Sequence, residues 1–152
     1  MTIRDYDPTA GFAFQGDVAI VPVPAGITIS RAEEIAPIDG RLILQEGEVT
    51  GHHHAIRLPA MFRDDGIARA LETRAEMPVP TAHLYRDRAS ADAMVRAGIL
   101  TRADLCVAFL VVEGGPMTVT HEEHDGIRLP AGSYYIGQQI ESAGAEERRV
   151  AD

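Results

Sequence analysis

Positive charge is scarce in this chain. Fourteen arginines, with no lysine, stand against 23 acids, a formal net charge of −9. The arginines are scattered among acidic neighbours, so no basic stripe exists to neutralise phosphates, and a nucleic-acid partner is not expected. Cysteine is nearly absent. The single one, Cys106, excludes an internal disulfide and sits in an apolar run, where it reads as a small buried hydrophobe rather than a nucleophile. Long hydrophobic runs are missing too: the longest, residues 105–112, is about eight residues, far short of a membrane span. The first residues show no charged stretch leading into an apolar one, so no signal peptide is expected and the cytoplasm is the default compartment. A Gly-rich phosphate loop, a nucleophile elbow and a Ser-His-Asp arrangement are not recognisable either.

What remains is ordinary globular material. A length of 152 residues, 45% hydrophobic and 24% charged, fits one domain over 1–152 with a proper core. Residues 17–23 form a β-branched run, and Pro22 must lie on an edge or at the end of that strand because it cannot donate to a ladder. Residues 24–40 carry Pro24, Gly26, Pro37 and Gly40 and read as connection, with one helical turn suggested at Ser30 to Glu34 by a Ser30–Glu33 capping box. Residues 41–44 open the next strand, and residues 82–85 are a further candidate. Between about 61 and 100 the character turns helical. Ile67, Leu71 and Ala75 are spaced four apart, and Ser90 to Gly98 suggests a helix with Ser90 as N-cap and Gly98 as its stop. Residues 105–112 read as a strand buried on both faces. Residues 117–121 alternate, Asp125 and Gly126 signal a turn, and residues 133–140 close the sheet. The tail, 141–152, is polar. The expected architecture is therefore mainly β, an antiparallel barrel or sandwich with a short helical insertion around 62–98.

Three of the six histidines stand together at His52, His53 and His54, and two more flank an acid pair at His121 and His124. Side chains of an extended chain alternate faces, so His52 and His54 share a face with Ile56 and Leu58, while His53 points away with Ala55 and Arg57. Imidazole is a preferred ligand of zinc and iron, and His-x-His on a strand aims two rings one way. Joined by His121, His124 and Glu123, the pair makes a nitrogen and oxygen set suited to a divalent transition metal, zinc or iron, with a position open for water or substrate. His121 and His124 share a face only if the chain bulges before the Asp125 turn. Glu123 is placed as a ligand. Glu48 is placed to hold a ligating histidine, or to act with Glu123 as the acid–base pair of a reaction. The blander reading makes both clusters solvated turn residues or hydrogen-bonding groups. His83, alone, reads as a partly buried histidine outside the site. One echo links the clusters: Ile56 to Ala60 recurs letter for letter as Ile127 to Ala131, each copy following its histidines by two or three residues.

Two short stretches resemble the cupins, small β-barrels in which a His-x-His strand and a later histidine bind one metal. Gly47 to His54 is similar to the opening of their first motif, with His52 and His54 at its histidines. The glutamate that should follow is absent, and Pro130 to Gly132 carries the Pro-x-Gly of the second motif with its histidines before rather than after it. The chain is also similar to a group of small bacterial proteins with Gly-Glu-Val-Thr-Gly-His-x-His, then His-x-Glu-His, then Leu-Pro-x-Gly-x-Tyr and a glutamine in the last strand. Here these are Gly47 to His54, His121 to His124, Leu129 to Tyr134, and Gln139. That resemblance singles out His52, His54, His121, Glu123 and His124 and implies no activity. The sequence thus leads to a metal-binding β-barrel protein, a candidate metalloenzyme activating water or dioxygen on a small molecule in a pocket walled by residues 105–112 and 133–140. Its alternative is a non-catalytic binding or assembly module with a structural metal or a histidine-mediated contact; self-association stays open.

Overall fold

A computed structural model of the protein describes residues 2–7, 11–46, 53–59, 79–143 and 146–149. In chain order these form β1 (Ile3–Asp5), β2 (Ala13–Gln15), β3 (Val18–Pro22), β4 (Glu34–Ile35), β5 (Arg41–Glu46), β6 (His53–Arg57), β7 (Thr81–Tyr85), α1 (Arg88–Arg96), β8 (Cys106–Glu113), β9 (Met117–Thr120), β10 (Gly126–Leu129), β11 (Gly132–Gln138), β12 (Ile140–Ala143) and β13 (Glu146–Arg149).

The strands make a five-stranded sheet in the order β1-β10-β9-β6-β5 and a six-stranded sheet in the order β2-β3-β11-β8-β7-β4. Period-two alternation explains why they face each other. Leu42, Leu44, Ile56, Leu58, Val119, Ile127 and Leu129 of the first sheet join Val18, Ile20, Ala108, Leu110, Val112, Tyr134 and Ile136 of the second in one buried cluster. Outward residues of the five-stranded sheet are polar: Arg57, Thr120 and Arg128 lie exposed. The six-stranded sheet is covered behind as well, where Val21, Phe109 and Tyr135 pack on Ala91 and Met94 of α1. That double burial is what the unbroken apolar run of residues 105–112 requires.

The sheets do not close into a barrel. Three of the four outer strands, β1, β2 and β4, are only two or three residues long, and edges that short offer little ladder to continue; the fourth, β5, has six residues and ends the five-stranded sheet beside β6. The architecture is a sandwich. It is also not wholly antiparallel, because β1 pairs parallel with β10.

Other expectations shift. The stretch 61–100 is not simply a helical insertion: β7 is a ladder member between β8 and β4. The helix expected over residues 65–76 lies outside the described residues. In α1 the N-cap is Asp87 rather than Ser90. Its carboxylate accepts the Ser90 N–H at 3.1 Å and also the Ser30 N–H at 2.8 Å, so a loop contact adds to the cap and moves the helix start three residues back. Gly98 does stop the helix, at φ +79°. No helical turn forms at Ser30; the extended pair Glu34–Ile35 meets β7 instead. The polar tail forms its own hairpin, β12 with β13.

The repeat has a structural meaning. β6 and β10 flank β9 on either side, and Ile56 and Ile127 both stand opposite Val119. The two copies are symmetric neighbours of one central strand, and each brings its histidines to the same end of the sheet.

Candidate functional site

Ala55 pairs with Thr120 across β6 and β9, so one step further the register sets His54 beside His121. Both are buried, at 0% and 2% exposure, and their ring centroids are 4.3 Å apart. After His121 the chain leaves the ladder and bends through residues 122–124 before β10 begins. This bend returns the His124 ring to 4.5 Å from His121 and 6.2 Å from His54. Two clusters about seventy positions apart in sequence therefore meet, with His54 on the inward phase beside Ile56 and Leu58.

The other sheet completes the cluster. In the β2–β3 hairpin, Gln15 and Asp17 are 1% and 3% exposed and reach across to His54. The Gln15 Oε1 lies 2.8 Å from His54 Nδ1, and the Asp17 Oδ1 lies 2.9 Å from His54 Nε2. The Gln15 amide orientation is fixed independently, because its Nε2 donates to the Val119 carbonyl at 3.1 Å and the Asp125 carbonyl at 2.8 Å. Oε1 can then only accept, so His54 Nδ1 carries a proton and donates it. Nε2 faces the carboxylate of Asp17. Burying polar groups costs several kcal/mol unless each is satisfied, and four of the five buried polar residues among those described are these: Gln15, Asp17, His54 and His121. Such concentration at one end of an apolar core is the physical mark of a site.

The sequence-derived acids behave differently from expectation. Glu123 is exposed, and its backbone N–H, 3.0 Å from His121 Nδ1, donates to that ring nitrogen. The Glu122 carboxylate accepts the His53 N–H at 3.1 Å, tying β6 to the bend. Glu48 and His52 lie outside the described residues. His83 stands apart, half-exposed, 3.4 Å from the Glu34 carboxylate and stacked on Tyr85. The pocket expected between residues 105–112 and 133–140 is not where the histidines are: β8 and β11 belong to the opposite sheet. Of the two, β11 helps wall a separate, mostly apolar cleft of about 260 Å³ that includes Phe14, Leu105 just before β8, Tyr135 and Gln139. Tyr134 is a core residue, packed edge-on against Tyr6 and donating to the Pro130 carbonyl. Burial pushes its phenol up to about 12.

Gln15 and Asp17 went unseen in the sequence because they lie 39 and 37 residues before their partner. The available signal was weak: two polar residues around Gly16 at the mouth of an apolar strand. For metal chemistry, His54 Nε2 and Asp17 Oδ1 fit as two donors. Tetrahedral ligands bonded at about 2.1 Å stand about 3.4 Å apart, so the pair, hydrogen-bonded at 2.9 Å, would part by about half an ångström to admit an ion. Among the described residues, no group of three or more His, Cys, Asp or Glu side chains is arranged to hold an ion.

The profile of a domain of unknown function, DUF8820, matches residues 14–139. The chain belongs to the DUF8820 family. The match begins one residue before Gln15 and spans all of the described cluster, so the DUF8820 region contains the site and the sandwich apart from β1 and the first residue of β2. No curated protein matches, and no solved structure does. No described helix of this DUF8820 protein is long and apolar enough to cross a membrane.

Proposed function

We propose that the buried cluster is a divalent transition-metal site, for zinc or iron, with His54 Nε2 and Asp17 Oδ1 as its first two donors. One observation carries this reading: an imidazole with its far nitrogen donated to a fixed acceptor and its near nitrogen facing a carboxylate at 2.9 Å. The Nδ1–H held by a fixed acceptor is the outer hydrogen bond that ligating histidines generally make, and Nε2 and Asp17 Oδ1 are the two atoms an ion would take up in place of their mutual hydrogen bond. His124, against the same rings, and His52 are the further donors this reading requires. Asp17 takes the place that the sequence had assigned to Glu123. The likeness to cupins reduces, on this view, to two strand-borne histidine motifs serving one ion. A bound ion with an open position would supply a Lewis acid for activating water or dioxygen on a small molecule.

A second reading is favoured by His121. Its Nδ1 accepts a backbone N–H, a posture in which the neutral ring carries its proton on Nε2, unlike a ligand bound through that atom. The cluster would then be a metal-free polar clamp between the sheets. Metal analysis of untagged protein separates the two. Near-stoichiometric zinc or iron in the wild type, lost in Asp17→Ala and His54→Ala, supports the metal site; equal content in all three supports the clamp.

A further inference from the structure

We infer that Gln15 is the positioning residue of this site: it selects which nitrogen of His54 faces Asp17 and pins the turn that carries His124. The inference rests on the metal reading for its functional meaning, but its structural basis is separate. One carboxamide makes three hydrogen bonds to three elements: from Nε2 to the Val119 carbonyl of β9 and to the Asp125 carbonyl beside His124, and at Oε1 with the His54 ring of β6. Only an amide side chain offers two N–H donors and an acceptor in one plane. A carboxylate there would turn an oxygen toward the two carbonyls; a shorter amide would not span the gap between sheets. At 1% exposure, water cannot replace it. The two carbonyls therefore fix the amide, the amide fixes the Nδ1–H of His54, and Nε2 is thereby the nitrogen turned to Asp17, where a proton lies between the two atoms in the metal-free protein and an ion would replace it. Outer partners of ligating histidines typically contribute about 10- to 100-fold in metal affinity.

The test uses full-length wild type, Gln15→Met, which keeps the length and removes all three bonds, and Gln15→Glu, which keeps only the acceptor. In metal-free, 15N-histidine-labelled protein, the wild type should show a slowly exchanging His54 Nδ1–H resonance. It should vanish in Gln15→Met and persist in Gln15→Glu. Zinc titration should give an affinity about 10- to 100-fold weaker in Gln15→Met, with an unchanged far-ultraviolet dichroism spectrum. An Nδ1–H signal that survives in Gln15→Met, or one already missing from the wild type, overturns the assignment. If Gln15→Met does not fold, loss of the signal in Gln15→Glu overturns it equally. Zinc affinity equal in the wild type and Gln15→Met ends the positioning role while leaving the metal site standing. A wild type that binds no zinc ends the metal site, and the resonance still decides whether Gln15 fixes the ring.

Discussion

Replacing His54 by leucine removes a buried ring of the five-stranded sheet that is hydrogen-bonded to Gln15 and Asp17 of the other. The volume is roughly conserved, so the main change is electrostatic: Asp17, 3% exposed, keeps its carboxylate but loses the imidazole 2.9 Å away. The Gln15 carbonyl oxygen loses its donor as well. Removing one partner of a buried, hydrogen-bonded pair typically costs about 3–5 kcal/mol, and the other contacts that Asp17 keeps set the His54→Leu loss at the low end of that range. In metal-free protein we expect His54→Leu to lose about 3 kcal/mol. For a domain of this size that lowers the melting temperature by about 6–12 °C. Asp17→Leu should cost a similar amount, but the double variant should cost much less than the sum, with a coupling of about 2–3 kcal/mol. The assay is urea unfolding of the four proteins in chelator, read by far-ultraviolet dichroism and analysed as a double-mutant cycle. Additive losses, or a His54→Leu cost below about 1 kcal/mol as for an exposed pair, would refute the reasoning that these groups form a dry, mutually dependent pair.

Other consequences are accessible to simpler measurements. Asp87→Ala should cost about 1–2 kcal/mol through loss of the cap on α1, seen as a lower melting temperature. Burial raises the Asp87 carboxyl, yet the hydrogen bonds from Ser90, Ser30 and Ala89 outweigh it and hold the group below the ordinary carboxylate range. Its contribution is therefore present above about pH 4 and fades as the pH falls through its folded value. Acid unfolding of the variant should show less loss over that interval. Cys106, half-buried and pushed up to about 11 by burial, should react with a disulfide reagent at pH 8 at least about tenfold more slowly than a free cysteine thiol; reaction at the free-thiol rate contradicts that environment. Gly137→Ala should destabilise by about 1–3 kcal/mol in thermal melts, as overpacking does, because an added Cβ would overlap the ring of buried Tyr135.

The sandwich was legible wherever a run showed its period. Residues 105–112 announced burial on two faces, and His54, Ile56 and Leu58 fell on the inward phase that alternation assigns. The choice between barrel and sandwich was not legible, because it turns on where the sheets end: β1, β2 and β4 have two or three residues and no periodic signature, and the six-residue β5 is an edge although its run reads like any other strand. The histidines were visible as a cluster, since imidazole pairs on strands are chemically conspicuous. Their partners were not. Gln15 and Asp17 are common polar residues at a hairpin, and only the packing of one sheet on the other brings them to His54. The acids beside the histidines in sequence drew attention for their proximity, yet the Glu123 side chain faces solvent while its backbone serves His121. Sequence proximity pointed to Glu123, where packing across the sheets supplies Asp17.

The most direct test of the metal site is anomalous diffraction from crystals grown with zinc, recorded on both sides of its absorption edge. The account predicts one strong peak within about 2.2 Å of both His54 Nε2 and Asp17 Oδ1. Occupied zinc confined to the protein surface, with His54 and Asp17 still hydrogen-bonded to each other, would contradict it.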